Sequence, residues 1–391
     1  MDNLKVTLFT NEYPPYIYGG AGVHVDYLSR ALSKLMHVNV RCFGDQDLRI
    51  GNLNVKGYRE WEFLKEDCDK KHQKVIGTFS RDLAMIKDFI NADIVHSHTW
   101  YTFMAGFLAK MLYNIPLVVT MHSIEPLRPW KKEQLGNGYN LSLWIEKTGV
   151  EAADRIIAVS KSSKEDILKC YKIPEDRVQV IYNGIDLEEY QKKDKSDVIK
   201  KYGIDGRFIL FVGRISRQKG ILYLVDAVKY LPKDIKVVLC ASSPDTNEVM
   251  EEMKEKIREH KNIIWINKRL KKEELIELYS NADVFVCPSL YEPFGIINLE
   301  AMACKVPVVA SATGGIKEVV VNGETGFLVE PGNSEALAKH IKILLDNKVL
   351  ALKFGLNGRK RVEGMFSWEK IAKETYDVYK QVVENYNCKR M

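Results

Sequence analysis

Two cations five residues apart stand in segment 213–220, which reads GRISRQKG and directly follows an apolar run ending at Val212. A guanidinium holds phosphate oxygens through two parallel hydrogen bonds, and an ammonium supplies a compact positive charge. Arg214 and Lys219 would therefore suit a diphosphate group. Basic residues after a strand are often only solvated, so this segment alone leaves both interpretations open.

Two glycine turns add backbone groups that favour an anion. The apolar run 5–9 leads to GGAG at 19–22 and then to a stretch with helical periodicity from about Val23 to Leu35. A helix N-terminus after a glycine loop presents free N–H groups and the positive end of the helix dipole. A second turn, TGG at 313–315, lies in the same half of the chain as Arg214. Tight turns that need positive φ use glycines in the same way, so phosphate contact is one of two open interpretations.

A pair of glutamates, Glu292 and Glu300, is the third candidate. Pro293 and Gly295 favour a loop at Glu292, and residues 298–303 favour a helix that carries Glu300. Eight helical residues span about 12 Å, whereas the paired carboxyl groups of glycosidases lie within about 5 to 9.5 Å. The two carboxylates would suit opposite ends of a nucleotide sugar. A surface acid and a helix N-terminal acid are the simpler explanation of this pattern by itself.

These residues follow strands in an alternating α/β pattern. Short apolar, β-branched runs alternate with helix-length amphipathic stretches, which predicts β-α units and parallel sheets. The predicted strands are 5–9, 38–42, 92–96, 117–120, 155–159, 178–181, 208–212, 235–239, 263–266, 284–287 and 306–310. The polar stretch 192–197 interrupts the alternation, which predicts two doubly wound domains with a boundary near 187–206. Ligands of such folds bind beyond the carboxyl ends of the strands, and we expect the active site in the cleft between the domains.

Composition excludes several classes of protein. The 391 residues carry 58 Lys and Arg against 52 Asp and Glu, a net charge of +6, which is too small to indicate binding to nucleic acid or to a membrane surface. The hydrophobic content of 46% excludes disorder. The sequence contains no transmembrane run and no basic-then-apolar leader, so a cytoplasmic protein with reduced cysteines is expected.

Taken together, the motifs resemble the retaining glycosyltransferases of family 4, which have the GT-B fold. The segments that carry the resemblance are GGAGVH at 19–24, GRISRQKG at 213–220, EPFGIINLE at 292–300, TGG at 313–315 and FSW at 366–368. They occur in the family's order and span essentially the whole chain. The resemblance implies two Rossmann-like domains facing across a cleft: 1–190 on the acceptor side and 205–365 for the donor. A last helix, about 368–391, would cross back to the first domain.

The resemblance also implies roles for the donor-side residues. Arg214 and Lys219 would hold the diphosphate, and Glu300 would bind the ribose. Glu292 would lie beside the transferred sugar, and the backbone near Leu270 would contact the base. The full donor-binding set that the resemblance implies is Gly20, Arg214, Lys219, Leu270, Gly295, Ile296 and Glu300.

Histidines mark the acceptor side. Strand alternation puts His96 and His98 on one face, but no third ligand stands at recognisable spacing, so a zinc site is not expected. Polar residues that cap strand ends are the plainer explanation. The resemblance implies that His122 faces the transferred sugar and that His98 lines the same cleft, which gives Glu292, His122 and His98 as the catalytic candidates.

One motif separates this chain from the usual bacterial glycogen synthases, which have an aspartate where it has Thr99. Segments 98–100 and 125–136 look instead like the shorter prokaryotic branch, which includes enzymes that make maltose 1-phosphate from ADP-glucose and glucose 1-phosphate. Arg128 and Lys131, with the neighbouring Lys132, would then meet an acceptor phosphate, and Trp100 would stack on sugar. A basic loop with an aromatic anchor in the core fits these residues equally well.

The resemblance implies retaining transfer of glucose from ADP-glucose or UDP-glucose to an α-1,4-glucan. Glucose 1-phosphate as acceptor, or another family 4 hexosyl transfer, stays open. A nucleotide-sugar 2-epimerase is the alternative from another enzyme class, and a non-catalytic nucleotide-sugar sensor is the alternative outside enzymes. No cofactor is expected: two cations replace a metal at the diphosphate, and the D-x-D patterns at 45–47 and 67–69 are expected in solvated loops.

Overall fold

The computed structural model describes residues 4–70, 72–242 and 244–388. The chain divides into two compact units, one running to Gly184 and including the final helix from Trp368, the other running from Ile185 to Ser367. Residues 185–190, which the sequence analysis assigned to the first domain, belong to the second unit. The Ile185 N–H donates to the Phe366 carbonyl at 2.7 Å, which ties this segment to the second unit.

The strands occur where apolar, β-branched runs predict them, with three additions. In chain order they are β1 Lys5–Thr10, β2 His37–Phe43, β3 Asp47–Ile50, β4 Leu53–Tyr58, β5 Ile94–His98, β6 Leu117–Met121, β7 Arg155–Ala158, β8 Val178–Val180, β9 Phe208–Arg214, β10 Lys236–Ser242, β11 Ile263–Ile266, β12 Val284–Cys287, β13 Val308–Ser311 and β14 Gly326–Val329. The sequence analysis missed β3, β4 and β14, which lie at or next to sheet edges.

The helices alternate with these strands. In chain order they are α1 Gly20–Leu32, α2 Gln73–Ile86, α3 Trp100–Tyr113, α4 Lys131–Leu135, α5 Gly138–Ala152, α6 Lys161–Cys170, α7 Asp197–Lys201, α8 Ile221–Ala227, α9 Asn247–Arg258, α10 Lys272–Asn281, α11 Ile296–Ala303, α12 Ile316–Val319, α13 Ser334–Asp346, α14 Lys348–Met365 and α15 Trp368–Cys388. Short 3₁₀ segments occur at Glu62–Lys65, Glu125–Leu127, Glu175–Arg177 and Val228–Tyr230.

The first unit is built on an eight-stranded sheet in the order β3-β4-β2-β1-β5-β6-β7-β8 within the described residues. Its strands are parallel except for the antiparallel β3–β4 pair. Successive side chains of a strand point to opposite faces, so Leu8 joins one apolar layer and Phe9 the other. Helix α15 packs in the layer of α1, where the Trp368 ring stacks on Tyr27 with centroids 5.6 Å apart.

The second unit is built on a six-stranded parallel sheet in the order β11-β10-β9-β12-β13-β14, again within the described residues. The order reverses between β9 and β12, and the carboxyl ends of such neighbouring strands form the usual ligand-binding edge of a doubly wound sheet. The prediction of two doubly wound parallel-sheet domains is therefore confirmed. Across the part of the chain that the structure describes, no helix is both long enough and apolar enough to cross a membrane.

Candidate active site

Strand β5 brings two histidines onto one face of the first sheet. It was predicted at 92–96 but runs from Ile94 to His98; Asp93, just before it, accepts the Lys5 N–H at 2.8 Å. The rings of His96 and His98 have centroids 4.2 Å apart, as strand alternation predicts. His96 is hydrogen bonded through Nδ1 to the Tyr379 hydroxyl at 2.6 Å and through Nε2 to Oγ1 of Thr120 at 2.7 Å. Both of its ring nitrogens are thus used inside the fold.

His98 instead belongs to a cluster of three histidines. Its Nδ1 lies 3.1 Å from Nε2 of His122, which directly follows β6. His24, on α1, completes the cluster, with its ring centroid 4.6 Å from that of His122. Nδ1 of His24 donates to Oδ1 of Asn183 at 2.6 Å. One ring nitrogen from each of the three lies within 4.8 Å of the others, so these residues are the ones in the described chain that could hold a metal ion.

Burial keeps these imidazoles neutral. Desolvation lowers the pKa of His24 to about 4. It also lowers the pKa of His98 and His122 well below the usual range, and neighbouring imidazoles lower it further. A neutral imidazole carries one N–H and one lone pair, so the one nitrogen of each ring that is not used in these contacts can either donate to or accept from a ligand, according to the tautomer. The sequence analysis missed His24 as a site residue, although it quoted the GGAGVH segment that contains it.

The acceptor candidates take mostly structural roles. Trp100 begins α3, is 1% exposed and lies in the apolar core of the first unit. It is therefore the aromatic core anchor that the sequence analysis gave as an alternative to sugar stacking. Arg128 pairs with the buried Glu125, with Nη1 2.9 Å from Oε1. The Nζ of Lys131 donates to Oε1 of Gln134 at 3.0 Å. Their contact with an acceptor phosphate stays a prediction.

A buried carboxylate supports the loop that follows His122. Oε1 of Glu146, on α5, accepts the Glu125 N–H at 2.7 Å and the Tyr171 hydroxyl proton. Desolvation, followed by repulsion from Glu125, raises the pKa of Glu146 to about 8. At neutral pH the folded protein therefore favours the protonated carboxyl, whereas the unfolded chain favours the carboxylate.

This difference predicts that stability falls as pH rises from about 4.5 towards about 8. In that window the unfolded state binds fewer protons, so the free energy of unfolding has a negative slope of at most ~1.4 kcal/mol per pH unit from this group. We expect Glu146→Gln to remove that contribution, because the amide does not titrate. Urea unfolding of the wild type and of Glu146→Gln across this pH window measures the contribution. Parallel pH profiles of the free energy of unfolding would contradict a raised pKa at Glu146.

In the second unit, Lys219 and Glu292 form a close ion pair. Nζ of Lys219 lies 2.5 Å from Oε2 of Glu292, and their side chains are 17% and 9% exposed. The hydroxyl of Ser289 donates to the same oxygen at 3.3 Å. The carboxylate thus fixes the ammonium group at the carboxyl ends of β9 and β12.

Arg214 ends β9 and is paired in a similar way. Its Nη1 forms an ion pair with Oδ1 of Asp245, which lies in the loop between β10 and α9. The side chains are 20% and 8% exposed. A partly buried guanidinium keeps further N–H donors in a rigid fork. Both cations that the sequence predicts are therefore paired with carboxylates from neighbouring loops.

Glycines let these loops approach one another. Gly220 has φ +63°, and a Cβ there would lie 1.9 Å from the Pro288 carbonyl oxygen. Gly314 has φ +47°, and a Cβ there would lie 2.1 Å from the Glu292 carbonyl oxygen. That oxygen also accepts the Gly315 N–H at 3.0 Å. The second-unit glycine turns therefore position the loop that carries Glu292.

Glu300 lies on α11, as predicted, and is buried. Its Oε1 accepts the Tyr190 hydroxyl at 3.0 Å, and its Oε2 accepts the Tyr279 hydroxyl at 2.8 Å. Burial raises its pKa. Each carboxyl oxygen has a second lone pair, so two further hydrogen bonds remain possible. The sequence analysis missed both tyrosines, since neither belongs to a motif.

The remaining donor candidates offer backbone groups. Helix α1 begins at Gly20, three residues earlier than predicted, and no side chain caps its first amides. Oε2 of Glu12 accepts the N–H groups of Tyr18 and Gly19 at 2.7 Å each and so fixes the loop before it. Helix α11 begins at Ile296, after Gly295 at φ +95°, also without a side-chain cap. Leu270 is buried just before α10.

The two D-x-D patterns behave as solvated segments. Asp45 is half exposed and pairs with Arg59, Nη2 to Oδ2 at 2.7 Å. Residues 67–69 are exposed or half-buried in the loop before α2. Neither pattern contributes to the sites described above.

Comparison with known proteins identifies the family. The model for Glycosyltransferase Family 4 matches residues 18–189, and the model for Glycosyl transferases group 1 matches residues 194–361. The α-maltose-1-phosphate synthase of Mycolicibacterium smegmatis is 42% identical over 97% of this chain and 100% of that protein. The glycogen synthase of Mycobacterium tuberculosis is 27% identical over 96% of this chain and 94% of that protein.

A solved structure agrees with this family. Sucrose-phosphate synthase from Thermosynechococcus elongatus has a TM-score of 0.81 and 25% identity, covering 98% of this chain and 100% of that one. Three observations indicate the same family: the sequence motifs, the two parallel-sheet units and the relative that matches 97% of this chain. The chain belongs to glycosyltransferase family 4 and is a glycosyltransferase of the GT-B fold.

Proposed function

We propose that this enzyme transfers glucose from a nucleoside diphosphate glucose to glucose 1-phosphate, with retention, and so makes maltose 1-phosphate. One observation carries the proposal: a relative named α-maltose-1-phosphate synthase is 42% identical over 97% of this chain and 100% of its own length. The relative named glycogen synthase is 27% identical. The 98–100 and 125–136 segments of the short prokaryotic branch support the same acceptor.

The chemical step depends on charge at the leaving diphosphate. As the bond from the anomeric carbon to the diphosphate breaks, negative charge collects on the phosphate oxygens. Arg214 and Lys219 stabilise that charge, because both are already fixed by carboxylates and need little reorganisation. A preorganised donor of this kind is typically worth about 10² to 10³ in rate.

The acceptor attacks from the face that the diphosphate leaves. A hydroxyl oxygen of glucose 1-phosphate bonds to the anomeric carbon, and its proton passes to an oxygen of the departing diphosphate. Glu292 is paired with Lys219, which favours an electrostatic and positioning role for this carboxylate over a covalent one. The neutral His98 and His122 hydrogen bond to sugar hydroxyls, and Glu300 binds the ribose.

The reaction needs no divalent cation in this proposal, because Arg214 and Lys219 supply the positive charge at the diphosphate. We expect kcat/KM to stay within about twofold after EDTA treatment, since no step uses a metal. A loss that added Mg²⁺ or Mn²⁺ restores would contradict this part of the proposal. Steady-state assays of nucleotide release measure kcat/KM before and after EDTA treatment.

Product analysis tests the proposed reaction. Purified enzyme is incubated with ADP-glucose or UDP-glucose, alone and with glucose 1-phosphate. We expect a product with the mass of a disaccharide monophosphate and an α-linkage by NMR, and nucleotide release that depends on acceptor. A β-linkage would contradict retention. An isomerised donor in the incubation without acceptor would indicate an epimerase.

A further inference from the structure

Glu300 differs from the other two carboxylates of the second-unit site in the kind of partner that it has. Glu292 and Asp245 each form an ion pair with a cation. Glu300 is 8% exposed and has no cation within ion-pair distance among the residues that the structure describes. Burying a carboxylate beside neutral donors alone costs free energy. The stability of the fold therefore does not by itself account for this arrangement.

Two tyrosine hydroxyls take the place of a cation at Glu300. The Tyr190 hydroxyl donates to Oε1 at 3.0 Å, and the Tyr279 hydroxyl donates to Oε2 at 2.8 Å. Tyr279 is fully buried, with its ring centroid 5.4 Å from that of Phe285. Burial raises the pKa of Tyr279 well above its usual range, and the charge of Glu300 raises it further, so the phenol keeps its proton. The two hydrogen bonds favour the ionised carboxyl of Glu300 and leave one lone pair on each of its oxygens.

The backbone of Tyr190 is fixed to the helix that carries Glu300. The Tyr190 carbonyl accepts a hydrogen bond from Nη1 of Arg359, on α14, at 2.7 Å. The same Nη1 donates to the carbonyl of Ala303, the last residue of α11, at 3.0 Å. Arg359 therefore joins the Tyr190 segment to α11 by contacts that do not involve the Glu300 carboxylate. The Tyr190 hydroxyl is positioned by the surrounding structure before any ligand binds.

We propose that Tyr190 and Tyr279 are positioning residues: they orient Glu300 so that its two remaining lone pairs accept the 2′ and 3′ hydroxyls of the donor ribose. This proposal rests on the proposed function, in which Glu300 binds the ribose of a nucleoside diphosphate glucose. The adjacent hydroxyls of a ribose supply two O–H donors, one for each carboxylate oxygen. Hydrogen bonds to an ionised group are strong and depend on geometry. The tyrosine pair thereby makes the site selective for ribonucleotides over nucleotides that lack these hydroxyls.

Calorimetric titration with nucleotides, in the absence of acceptor, tests the tyrosine pair. The wild type, Tyr190→Phe and Tyr279→Phe are each titrated with ADP, UDP and their 2′,3′-dideoxy forms. We expect the wild type to bind at least one ribonucleotide about 10- to 100-fold more tightly than its dideoxy form, as for hydrogen bonds to a charged group. Each variant should bind that ribonucleotide about 10-fold more weakly and its dideoxy form within about twofold of the wild type. Tyr230→Phe, which alters a tyrosine 42% exposed in the same unit, should change neither affinity.

The dideoxy nucleotides separate positioning from a purely structural role. A substitution that only destabilises the second unit would weaken the binding of both nucleotide forms equally. Equal losses for the two forms, or an unchanged affinity for the ribonucleotide, would therefore overturn the tyrosine assignment alone. Absence of ADP and UDP binding to the wild type would overturn both this assignment and the proposed donor class. A different acceptor leaves these outcomes unchanged, because no acceptor is present.

A crystal structure of the wild-type protein with ADP or UDP covers the case in which a tyrosine variant fails to fold. We expect each carboxylate oxygen of Glu300 to lie within about 3.2 Å of one tyrosine hydroxyl and one ribose hydroxyl. A complex in which either tyrosine hydroxyl has left Glu300, or in which the ribose hydroxyls bind other residues, would overturn the proposal.

Discussion

Replacing Lys219 with alanine should lower kcat/KM for glucosyl transfer by about 10²- to 10³-fold, the usual cost of removing one preorganised charge donor. Nζ of Lys219 is held 2.5 Å from Oε2 of Glu292 at the carboxyl ends of β9 and β12. The ammonium is thus fixed at the edge of the sheet where doubly wound folds bind ligands. Steady-state nucleotide release with saturating acceptor measures the effect, and Arg214→Ala should lose activity similarly.

A matched control lies two residues away in the same loop. The Arg217 side chain is 52% exposed and pairs with Glu252 at 3.3 Å, so Arg217→Ala should leave kcat/KM within about threefold. Removing Lys219 also leaves Glu292 buried without its partner, which is destabilising. The double variant Lys219→Met/Glu292→Gln removes both charges, so the difference between its free energy of unfolding and that of Lys219→Ala measures the folding cost of the unpaired carboxylate. Near-normal kcat/KM in Lys219→Ala and Arg214→Ala would contradict the diphosphate assignment.

Replacing Gly220 with alanine should lower the free energy of unfolding by about 2 to 5 kcal/mol. The left-handed conformation at φ +63° costs a side chain about 1 to 2 kcal/mol. In addition, the new Cβ would lie 1.9 Å from the carbonyl oxygen of Pro288, which is backbone and cannot rotate away. Overpacking of this kind costs about 1 to 3 kcal/mol more. Chemical denaturation measures the change.

A substitution at Gly203 separates the cost of the left-handed backbone from the cost of overpacking. Gly203 has nearly the same φ, +61°, but open space where a Cβ would stand. Gly203→Ala should therefore cost only the conformational part, about 1 to 2 kcal/mol. We also expect Gly220→Ala, and not Gly203→Ala, to reduce transfer, because Gly220 directly follows Lys219. Equal losses of stability in the two variants would show that the close approach to Pro288 does not matter.

The sequence predicts the positions of the donor-side residues well, because their signals are local. Arg214, Lys219 and Glu292 follow apolar runs that have few alternatives to being central parallel strands. The helix that carries Glu300 was also predicted. The edge strand β3 was missed for the opposite reason: it has only four residues, DLRI, and all four are exposed, so no continuous apolar run marks it.

The contacts that complete each site depend on tertiary structure and could not be predicted. Asp245 is 31 residues from Arg214, and Glu292 is 73 residues from Lys219. His24 comes from a helix that precedes β5 by about 60 residues, yet its ring packs against those of His98 and His122. A single sequence carries no signal for such pairings. The sequence does contain His24 in the GGAGVH motif, but only the glycines of that motif were interpreted as a binding feature.

The choice of acceptor is the most direct test of the proposed function. Nucleotide release from ADP-glucose and UDP-glucose is measured with glucose 1-phosphate, glucose, maltooligosaccharides and glycogen, and each product is identified by mass. We predict that kcat/KM for glucose 1-phosphate exceeds that for every phosphate-free acceptor by at least about 100-fold, which corresponds to ~2.7 kcal/mol, and that maltose 1-phosphate is the product. Elongated glucan formed as efficiently as, or more efficiently than, maltose 1-phosphate would contradict it.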